Sequence, residues 1–408
     1  MAPRLYLFAL TALASLGHAW LPAEQADEPS DLRHAKRNSK RWLPPTQKIR
    51  GVNLGSLFVF EPWMAGNTWN AMCGEGVQSE FDCMIKLGQA QGDAAFQKHW
   101  GSFITEADFD EIVSYGLNTV RIPLGYWMDE SIVYGDSEHF PRGGFQYLKQ
   151  VVGWARDKGI YVILNMHGAP GAQVAKDAFT GQFASTPGFY QTYQYDRGIA
   201  FLSWLTEQIW TNDEFRNVFM LEVVNEPVQG DTPETLRSYF YPKAYDAIRD
   251  KEQSLGITPN NGLHIQFMGS NWGSGDPKQY LSSTYFAAYD DHRYLKWAGT
   301  PVDKDTYIST SCGDDRQASG ESPTVVGEFS LSVPDDVQWT AEWEPSGDKD
   351  FYKRWFAAQV SAYEKYTYGW VFWSWKTELG DYRWTYKDAV AAGVIPKDLD
   401  TIASSGVC

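Results

Sequence analysis

Eight short apolar runs, separated by segments with helical periodicity, restrict the folds open to this chain more than any other part of its sequence. The hydrophobicity of these runs is continuous and does not alternate, as is usual for parallel strands buried on both faces. They lie near Gly51, Val120, Val162, Leu221, Ile265, Phe286, Val326 and Phe372. We therefore predict a parallel sheet whose faces are covered by helices.

The segments between these runs repeat apolar residues at the spacing of amphipathic helices. We predict helices at residues 105–115, 145–158, 197–209, 234–254 and 350–366. Thr105 and Asp108 have the spacing of a capping box, which marks a helix start. Repeated strand and helix units of this kind predict an α/β fold, a single closed (β/α)8 TIM barrel.

An open, doubly wound sheet is the main alternative fold. It is disfavoured because the glycine-rich phosphate fingerprint that usually follows its first strand is missing. The sequence after Arg41 contains no internal repeat and no linker rich in Pro, Gly or Ser. Residues 42–408 are therefore interpreted as one (β/α)8 catalytic domain.

The first residues have the pattern of a secretory signal peptide. Arg4 precedes an apolar stretch that is too short to span a bilayer, and the stretch ends in small residues up to Ala19. Two dibasic pairs follow, the second ending at Arg41, which predicts a pro-segment at 20–41; a flexible tail is the alternative. We expect signal cleavage after residues 1–19 and a secreted, extracellular protein.

The composition favours an uncharged partner. The chain has 35 Lys and Arg against 51 Asp and Glu, a formal net charge of −16. Such a surface repels nucleic acid and anionic membranes. No cysteine spacing suggests a metal site, and we expect a monomer without metal or other cofactor.

Four cysteines occur: Cys73, Cys83, Cys312 and Cys408. An even number in a secreted chain predicts two disulfides. Three pairings are possible from sequence. Pairing of Cys73 with Cys83 is favoured because it closes a short local loop, which leaves Cys312 for Cys408.

A carboxylate stands at the end of the apolar run VFMLEVVNEP, at Glu226. Function in barrels of this kind gathers at the C-terminal ends of the strands, and Pro227 favours an extended backbone for Glu226. Glu328 holds the equivalent place in TVVGEF. Two carboxylates on one face are what glycoside hydrolysis needs; ordinary solvated acids are the alternative, because the chain has so many.

Other predicted strand ends carry polar or aromatic residues in apolar surroundings: Arg121, His167, Asn225, His292, Tyr294 and Trp373. Together the stretches NEP, GEF, VRIPLGYW, LNMHGAPG, DHRY and VFWSWK resemble the signature of glycoside hydrolase family 5, in the large retaining (β/α)8 clan. The resemblance extends from Ile49 to about Trp375. It implies a glycosidase that acts on a polysaccharide.

The resemblance implies a double displacement in which Glu226 is the acid/base and Glu328 the nucleophile. Their carboxyl groups should then lie about 5 to 5.5 Å apart, and the anomeric configuration is retained. Asn225 would hold the sugar 2-hydroxyl. Arg121 would lie beside Glu328 and favour its ionised form, and Tyr294 would donate a hydrogen bond to the same carboxylate.

The resemblance also implies roles for the remaining strand-end residues. His292 would face Glu226, His167 would contact the sugar in the reactive subsite, and Trp373 would form the floor on which that sugar stacks. A further carboxylate, Glu222, lies in the same apolar run as Glu226. We interpret it as a structural, ion-paired residue.

The entry segment RGVNLGSLFVFEPWM resembles that of fungal β-1,3- and β-1,6-glucanases of the family, in which the acid matching Glu61 contacts the reactive sugar. The loop CGEGVQSEFDC and the run LNMHGAPGAQ look most like endo-β-1,6-glucanases, so we expect a β-1,6-glucan substrate. Trp272 and Trp375 are predicted to stack on sugars at outer subsites, and Trp63 and Trp69 are weaker candidates.

Three other functions compete with this interpretation. An exo-β-1,3-glucanase of the same family is the nearest, although such enzymes usually have Gly-Gly-Trp where this chain has Gly55-Ser56-Leu57. A catalytically inactive glucan-binding barrel would keep the groove without the chemistry. A structural cell-wall protein would have repeats, Ser/Thr-rich stalks or an anchor signal, and none is seen in the sequence.

Overall fold

A computed structural model of the protein describes residues 47–408. The signal peptide predicted at 1–19 and the pro-segment predicted at 20–41 lie outside the described residues. Both therefore stay predictions.

Eight parallel strands form a closed barrel in which each strand pairs with the next and the last pairs with the first. They are β1 (Ile49–Asn53), β2 (Thr119–Gly125), β3 (Tyr161–Gly168), β4 (Val218–Glu222), β5 (His264–Met268), β6 (Ala287–Arg293), β7 (Thr324–Phe329) and β8 (Gly369–Phe372). Each strand overlaps one of the apolar runs. The predicted TIM barrel is confirmed.

The barrel closes where β8 meets β1, with Ile49 beside Gly369. Gly369 has a φ of +136°, and a Cβ at this position would lie 2.0 Å from the backbone oxygen of Ile49. A side chain fits neither the conformation nor the space. Glycine at this position therefore allows the sheet to close.

Ten α-helices lie in the described part of the chain: α1 (Gly66–Cys73), α2 (Glu80–Leu87), α3 (Gln89–Trp100), α4 (Glu106–Ser114), α5 (Gly144–Asp157), α6 (Thr192–Thr211), α7 (Tyr241–Ser254), α8 (Lys304–Cys312), α9 (Lys349–Tyr366) and α10 (Tyr386–Ala391). The predicted helices correspond to α4, α5, α6, α7 and α9. The segment predicted at 234–254 differs at its start, where Leu236–Phe240 form a π-helix. The backbone N–H of Thr105 donates to Asp108 at 2.9 Å, which caps α4 as expected.

The two ends of the barrel interior differ in polarity. Near the start of the strands an apolar cluster includes Ile49, Ile163, Met220, Val325 and Val371. Near the C-terminal ends of the strands, buried polar side chains take over: Asn53, Arg121, Glu222, Asp290, His292 and Glu328. Burying charged groups is costly unless they are paired. So many of them at the C-terminal ends of the strands indicate a functional site, which is where barrels of this kind have it.

Two disulfides cross-link the outside of the barrel. Cys73 is bonded to Cys83, joining α1 to α2, and Cys312 at the end of α8 is bonded to Cys408. The favoured pairing is confirmed. Across residues 47–408, none of the helices combines the length and the apolarity that crossing a membrane requires.

Candidate active site

Glu226 and Glu328 meet at the C-terminal end of the barrel. One carboxylate oxygen of each residue and a ring nitrogen of His292 all lie within 4.8 Å of one another. Glu328 belongs to β7, whereas Glu226 lies in the loop that follows β4. The closed sheet thus brings two distant segments to the separation at which a retaining pair of carboxyl groups works.

Glu328 is held from two sides. Its Oε1 accepts a hydrogen bond from Arg121 at 2.8 Å, and its Oε2 accepts one from the Tyr294 hydroxyl at 2.9 Å. Burial raises the pKa of Glu328 above its ordinary value, while His292 and Arg121 act to lower that pKa. The expected effect of Arg121 is present, but burial outweighs it.

Glu226 does not have the extended backbone that its position before Pro227 predicts. β4 ends at Glu222, and Glu226 has a φ of +38°, in the left-handed region. A residue other than glycine pays on the order of 1–3 kcal/mol for such a conformation. The prediction was wrong because the chain has already left the sheet, so a loop sets the direction of this carboxylate.

Gln173, a residue that the sequence did not mark, holds the loop around Glu226. Its side-chain amide donates to the backbone carbonyls of His167 at 2.6 Å and Asn225 at 3.0 Å, and its Oε1 accepts the N–H of Ala169 at 3.1 Å. The side chain is fully buried. It ties the loop after β3 to the residue that precedes Glu226. A loop glutamine carries no sequence signal for such a role.

Arg121 on β2 is the centre of a buried hydrogen-bond network. Besides Glu328, its guanidinium donates to Asn53 at 3.0 Å, Glu222 at 2.8 Å and Asn225 at 2.7 Å. The expectation that Glu222 is ion-paired is confirmed, and both partners are fully buried. Burial raises the pKa of Glu222 to about 8, against the opposing effect of Arg121.

The imidazole of His292 lies among three carboxylates. Its Nδ1 is 2.6 Å from Glu226 and 3.5 Å from Glu328, and its Nε2 is 3.5 Å from Asp290. Burial by itself would lower the pKa of His292, but these carboxylates raise the pKa well above its ordinary value. These carboxylates favour the protonated form of His292, whose ring faces Glu226 as the resemblance implies.

Asp290 is a second residue that sequence reasoning missed. Its Oδ1 accepts the backbone N–H of Gly327 at 2.8 Å, and its Oδ2 lies 3.6 Å from Arg121. A Cβ on Gly327 would lie 2.1 Å from Oδ1 of Asp290. The glycine before Glu328 therefore makes room for this carboxylate. An acidic residue inside an apolar run was the signal that could have marked it.

Trp373 and His167 stack as parallel rings, with 5.7 Å between their centroids and 6° between their planes. Burial lowers the pKa of His167 well below its ordinary value, and the charges of Arg121 and His292 lower it further. His167 is therefore neutral. The pair presents an indole and an uncharged hydrogen-bonding ring at the ends of β8 and β3.

Trp272 and Glu61 lie at the margins of the same site. Trp272 is partly exposed; its Nε1 donates to the carbonyl of Pro227 at 2.8 Å and its ring meets His292 edge to face. Oε2 of Glu61 accepts a hydrogen bond from Trp63 at 2.9 Å, whereas its buried Oε1 has no hydrogen-bond partner among residues 47–408. Burial raises the pKa of Glu61 well above its ordinary value.

The prediction that Trp375 stacks on sugar is wrong. Trp375 is fully buried, and its Nε1 donates to Asp108 of α4 at 3.0 Å. The residue lies beyond the end of β8, and its ring packs against the rings of Tyr115, just after α4, and Tyr386 on α10. Trp69 on α1 is also a core residue, with its Nε1 bonded to the carbonyl of Val77.

The spacing of Glu226, His292 and Glu328 is also within the range at which side chains hold a metal ion. Their hydrogen bonds account for the arrangement in another way. His292 bonds Glu226, while Arg121 and Tyr294 occupy the two oxygens of Glu328. The guanidinium of Arg121, which is in contact with Glu328, disfavours a further cation at this place by like-charge repulsion.

The chain is similar to known glycoside hydrolases along most of its length. The family described as cellulase (glycosyl hydrolase family 5) matches residues 86–379. Glucan endo-1,6-beta-glucosidase B of Emericella nidulans is 59% identical over 397 residues, which cover 96% of this chain and 96% of that protein. The probable glucan endo-1,6-beta-glucosidase B of Neosartorya fischeri is 58% identical over 403 residues, covering 98% and 99%.

More distant proteins are similar along most of the chain. Glucan 1,3-beta-glucosidase 2 of Wickerhamomyces anomalus is 26% identical over 90% of this chain and 92% of that protein. Among solved structures, rutinosidase from Aspergillus niger superposes with a TM-score of 0.68, covers 86% of this chain and 98% of its own, and is 19% identical. At that identity the likeness concerns the fold alone.

Proposed function

This chain belongs to glycosyl hydrolase family 5, and from that premise we propose that it is a retaining endo-β-1,6-glucanase. The observation that carries the chemistry is the approach of Glu226 and Glu328 to within 4.8 Å, together with His292. The linkage rests on the likeness to endo-1,6-beta-glucosidases over nearly the whole chain. The substrate is a neutral polysaccharide, which suits an acidic protein.

In the first step one oxygen of Glu328 attacks the anomeric carbon of a glucosyl unit. The bond from that carbon to the glycosidic oxygen breaks, and the proton of Glu226 passes to the departing oxygen. The products of this step are a glycosyl ester on Glu328 and a shortened glucan chain. Proximity is supplied by the protein, which holds both carboxyl groups in place before substrate arrives.

In the second step Glu226 acts as a base. It removes a proton from a water molecule, whose oxygen attacks the anomeric carbon as the bond to Glu328 breaks. Two displacements at one carbon restore the β configuration. Esterified Glu328 carries no charge, so no neighbouring nucleophile charge opposes the negative charge that Glu226 carries when it acts as the base.

The residues around Glu328 position the nucleophile and the reactive sugar. Arg121 and Tyr294 each hold one oxygen of the nucleophile, which fixes the direction of attack. The Nδ2 atom of Asn225 is buried and has no hydrogen-bond partner in the described part of the chain. We assign it to the 2-hydroxyl of the reactive sugar, because a bound hydroxyl would satisfy this donor.

Three further residues complete the reactive subsite in this proposal. Trp373 is the stacking floor, and the neutral His167 beside it contacts a sugar hydroxyl. Oε1 of Glu61, buried without a partner in residues 47–408, accepts a hydrogen bond from a hydroxyl of the same sugar. Trp272 stacks on the leaving side, because it lies against Pro227, next to Glu226.

The protein is proposed to act outside the cell as a monomer. Two disulfides fit an oxidising compartment, and the sequence begins with the pattern of a signal peptide. A cell-wall β-glucan is the partner of matching chemistry.

A product profile tests the proposal. We expect oligosaccharides to be released early from pustulan, a β-1,6-glucan, with much slower action on laminarin and cellulose. Glucose alone from laminarin would identify the exo-β-1,3-glucanase instead. Binding of pustulan without any hydrolysis would identify an inactive glucan-binding barrel.

A further inference from the structure

Three tryptophans form one cluster at the rim of the site, which we term the aromatic wall: Trp63, Trp297 and Trp384. The rings of Trp63 and Trp384 meet edge to face with 5.0 Å between centroids, and those of Trp297 and Trp384 lie 6.3 Å apart. Trp384 is buried, but Trp63 is 42% and Trp297 65% exposed. Contiguous exposed rings of this size are characteristic of binding surfaces.

The aromatic wall is continuous with the reaction centre. Trp384 and Trp373 belong to one small apolar cluster, against which Tyr294 packs. The ring of Tyr294 lies 5.1 Å from that of Trp297, and its hydroxyl donates to Glu328. The exposed rings therefore extend outward from the floor of the reactive subsite.

The order of the strands places two rings of the aromatic wall, Trp63 and Trp384, across the barrel from the acid/base. Trp63 follows β1 and Trp384 follows β8, which are neighbours, whereas Glu226 and Trp272 follow β4 and β5, half-way around. Trp297 follows β6 and joins the wall through Trp384. Because Glu226 protonates the leaving oxygen, the departing part of the glucan occupies the same side of the site as Glu226. The aromatic wall lies on the other side, where the glucosyl units that remain bound to the enzyme are held.

Lys296 holds the ring of Trp297 in place, although that side chain is mostly exposed. The ammonium of Lys296 lies 5.3 Å from the ring centroid of Trp297 and 5.6 Å from that of Trp384, and pairs with Asp335 at 2.6 Å. A cation over an indole face attracts it. A ring that is ordered before ligand arrives loses less entropy on binding.

We infer that the aromatic wall binds glucosyl units on the non-reducing side of the cleaved bond, beyond the reactive subsite. The inference rests on the proposed function, because it assigns part of a glucan chain to the same site. Apolar C–H faces of β-linked glucose stack on indole rings, and each stacked sugar adds buried apolar area. A site that grips several retained units suits cleavage within a polymer.

The test uses Trp297→Ala with 2,4-dinitrophenyl β-glucoside, β-gentiobioside and β-gentiotrioside. Dinitrophenol is the leaving group in all three, so only the retained side changes. We expect kcat/KM of Trp297→Ala to stay within about twofold of the native value for the glucoside and to fall about tenfold for the longer glycosides, a loss of about 1.4 kcal/mol. Tyr285→Ala is the matched control, because Tyr285 is an exposed aromatic residue before β6, at the opposite end of the barrel.

Other outcomes overturn the inference. An equal loss on all three glycosides would mean that Trp297 serves the reactive subsite, and no loss on any would mean that the wall does not bind sugar. Added gentiobiose can accept the glycosyl group from Glu328, and it does so from the position of the leaving chain. A defect of Trp297→Ala in this transfer reaction alone would place the wall on the leaving side. Trp63→Phe, which keeps a ring but loses the donor to Glu61, should reduce kcat/KM for the longer glycosides less than Trp297→Ala.

The linkage and the wall can fail separately. If dinitrophenyl glycosides of β-1,3-linked glucose (the laminari series) are cleaved and those of β-1,6-linked glucose (the gentio series) are not, the proposed linkage is wrong. The effect of Trp297→Ala on short and long glycosides of the laminari series then tests the wall. As a second measurement, calorimetry with Glu328→Gln should show about tenfold weaker binding of gentiotetraose when Trp297→Ala is added. Equal affinity with and without Trp297 would contradict the inference.

Discussion

The Nδ1 atom of His292 lies 2.6 Å from Oε1 of Glu226, while the Nε2 atom of the same ring faces Asp290 at 3.5 Å. Asp290 also lies 3.6 Å from Arg121, which bonds Glu328. The two reacting carboxylates are therefore joined through one buried network of charges. A substitution that alters the charge near Glu226 should therefore also affect Glu328, and the reverse should hold as well.

Azide should distinguish the roles of Glu226 and Glu328. We expect Glu328→Ala to lower hydrolysis on the order of 10⁴-fold or more, because the bond to the anomeric carbon is no longer formed. With a dinitrophenyl glucoside, azide should then enter the vacated space and give the α-glucosyl azide. Glu226→Ala should keep the glycosyl ester and give the β-glucosyl azide, as NMR of the products would record. The opposite pair of anomers would reverse the assignment.

Gln173→Ala should lower kcat with little effect on KM. The side chain fixes the carbonyls of His167 and Asn225, so its loss lets the Glu226 loop move. The stacking floor, Trp373 at the end of β8, stays in place. A displacement of about 1 Å at a reacting group costs on the order of 10²-fold in rate. Initial rates on pustulan at several concentrations measure both constants. An unchanged kcat would show that the loop is fixed by other contacts.

Gly327→Ala should damage both stability and activity. Its Cβ would lie 2.1 Å from Oδ1 of Asp290, so the carboxylate or β7 must shift. Overpacking of this kind costs about 1–3 kcal/mol, and the shift reaches Glu328 through the adjacent peptide. Urea unfolding and kcat/KM on pustulan measure the two effects. Gly66→Ala is the control, because a Cβ there meets nothing within 4 Å; equal behaviour of the two variants would contradict the prediction.

The free energy of unfolding should fall as pH rises from 4.5 to about 8. Glu80 on α2 is fully buried, and burial raises its pKa to about 8, although the N–H of Phe60 donates to its Oε1 at 2.8 Å. Between these two pKa values the unfolded chain has released a proton that the folded protein keeps, so folding becomes less favourable as pH rises. This contribution is complete below pH 4.5 and lost through about pH 8.

Thermal unfolding at several pH values tests this expectation. Glu80→Gln keeps an acceptor for Phe60 and carries no titrating group, so it should flatten the dependence of Tm on pH in that window. Glu222, whose pKa is also raised to about 8, should leave part of the slope in place. A slope that is unaffected by Glu80→Gln would show that another group dominates.

The barrel and the two carboxylates could be predicted because both leave strong local patterns. Continuous apolar runs mark parallel strands, and carboxylates at the ends of such runs lie where function gathers in barrels of this kind. The polar residues at several other strand ends favoured a site over ordinary solvated acids. The backbone at Glu226 could not be predicted in the same way. Proline restricts the preceding residue on average, but contacts from Gln173 on another loop override that local preference.

The missed residues act through distant contacts. The acidic residue Asp290 stands out in its apolar run, but its role becomes clear only when β6 and β7 are placed side by side and Gly327 is seen to leave space for it. The tryptophans show the same limit, since Trp375 and Trp297 have equal intrinsic tendency to stack on sugar. Whether a ring is packed under helices or left at the rim depends on loops whose course the sequence pattern does not reveal.

The aromatic wall is assembled from three loops that leave the barrel at β1, β6 and β8, whereas Arg121 and Glu328 belong to the strands themselves. Substitutions in one loop can therefore change the length or linkage of the glucan that binds, while the positions of Arg121 and Glu328 stay the same. A protein engineer could follow the same route by exchanging one loop at a time.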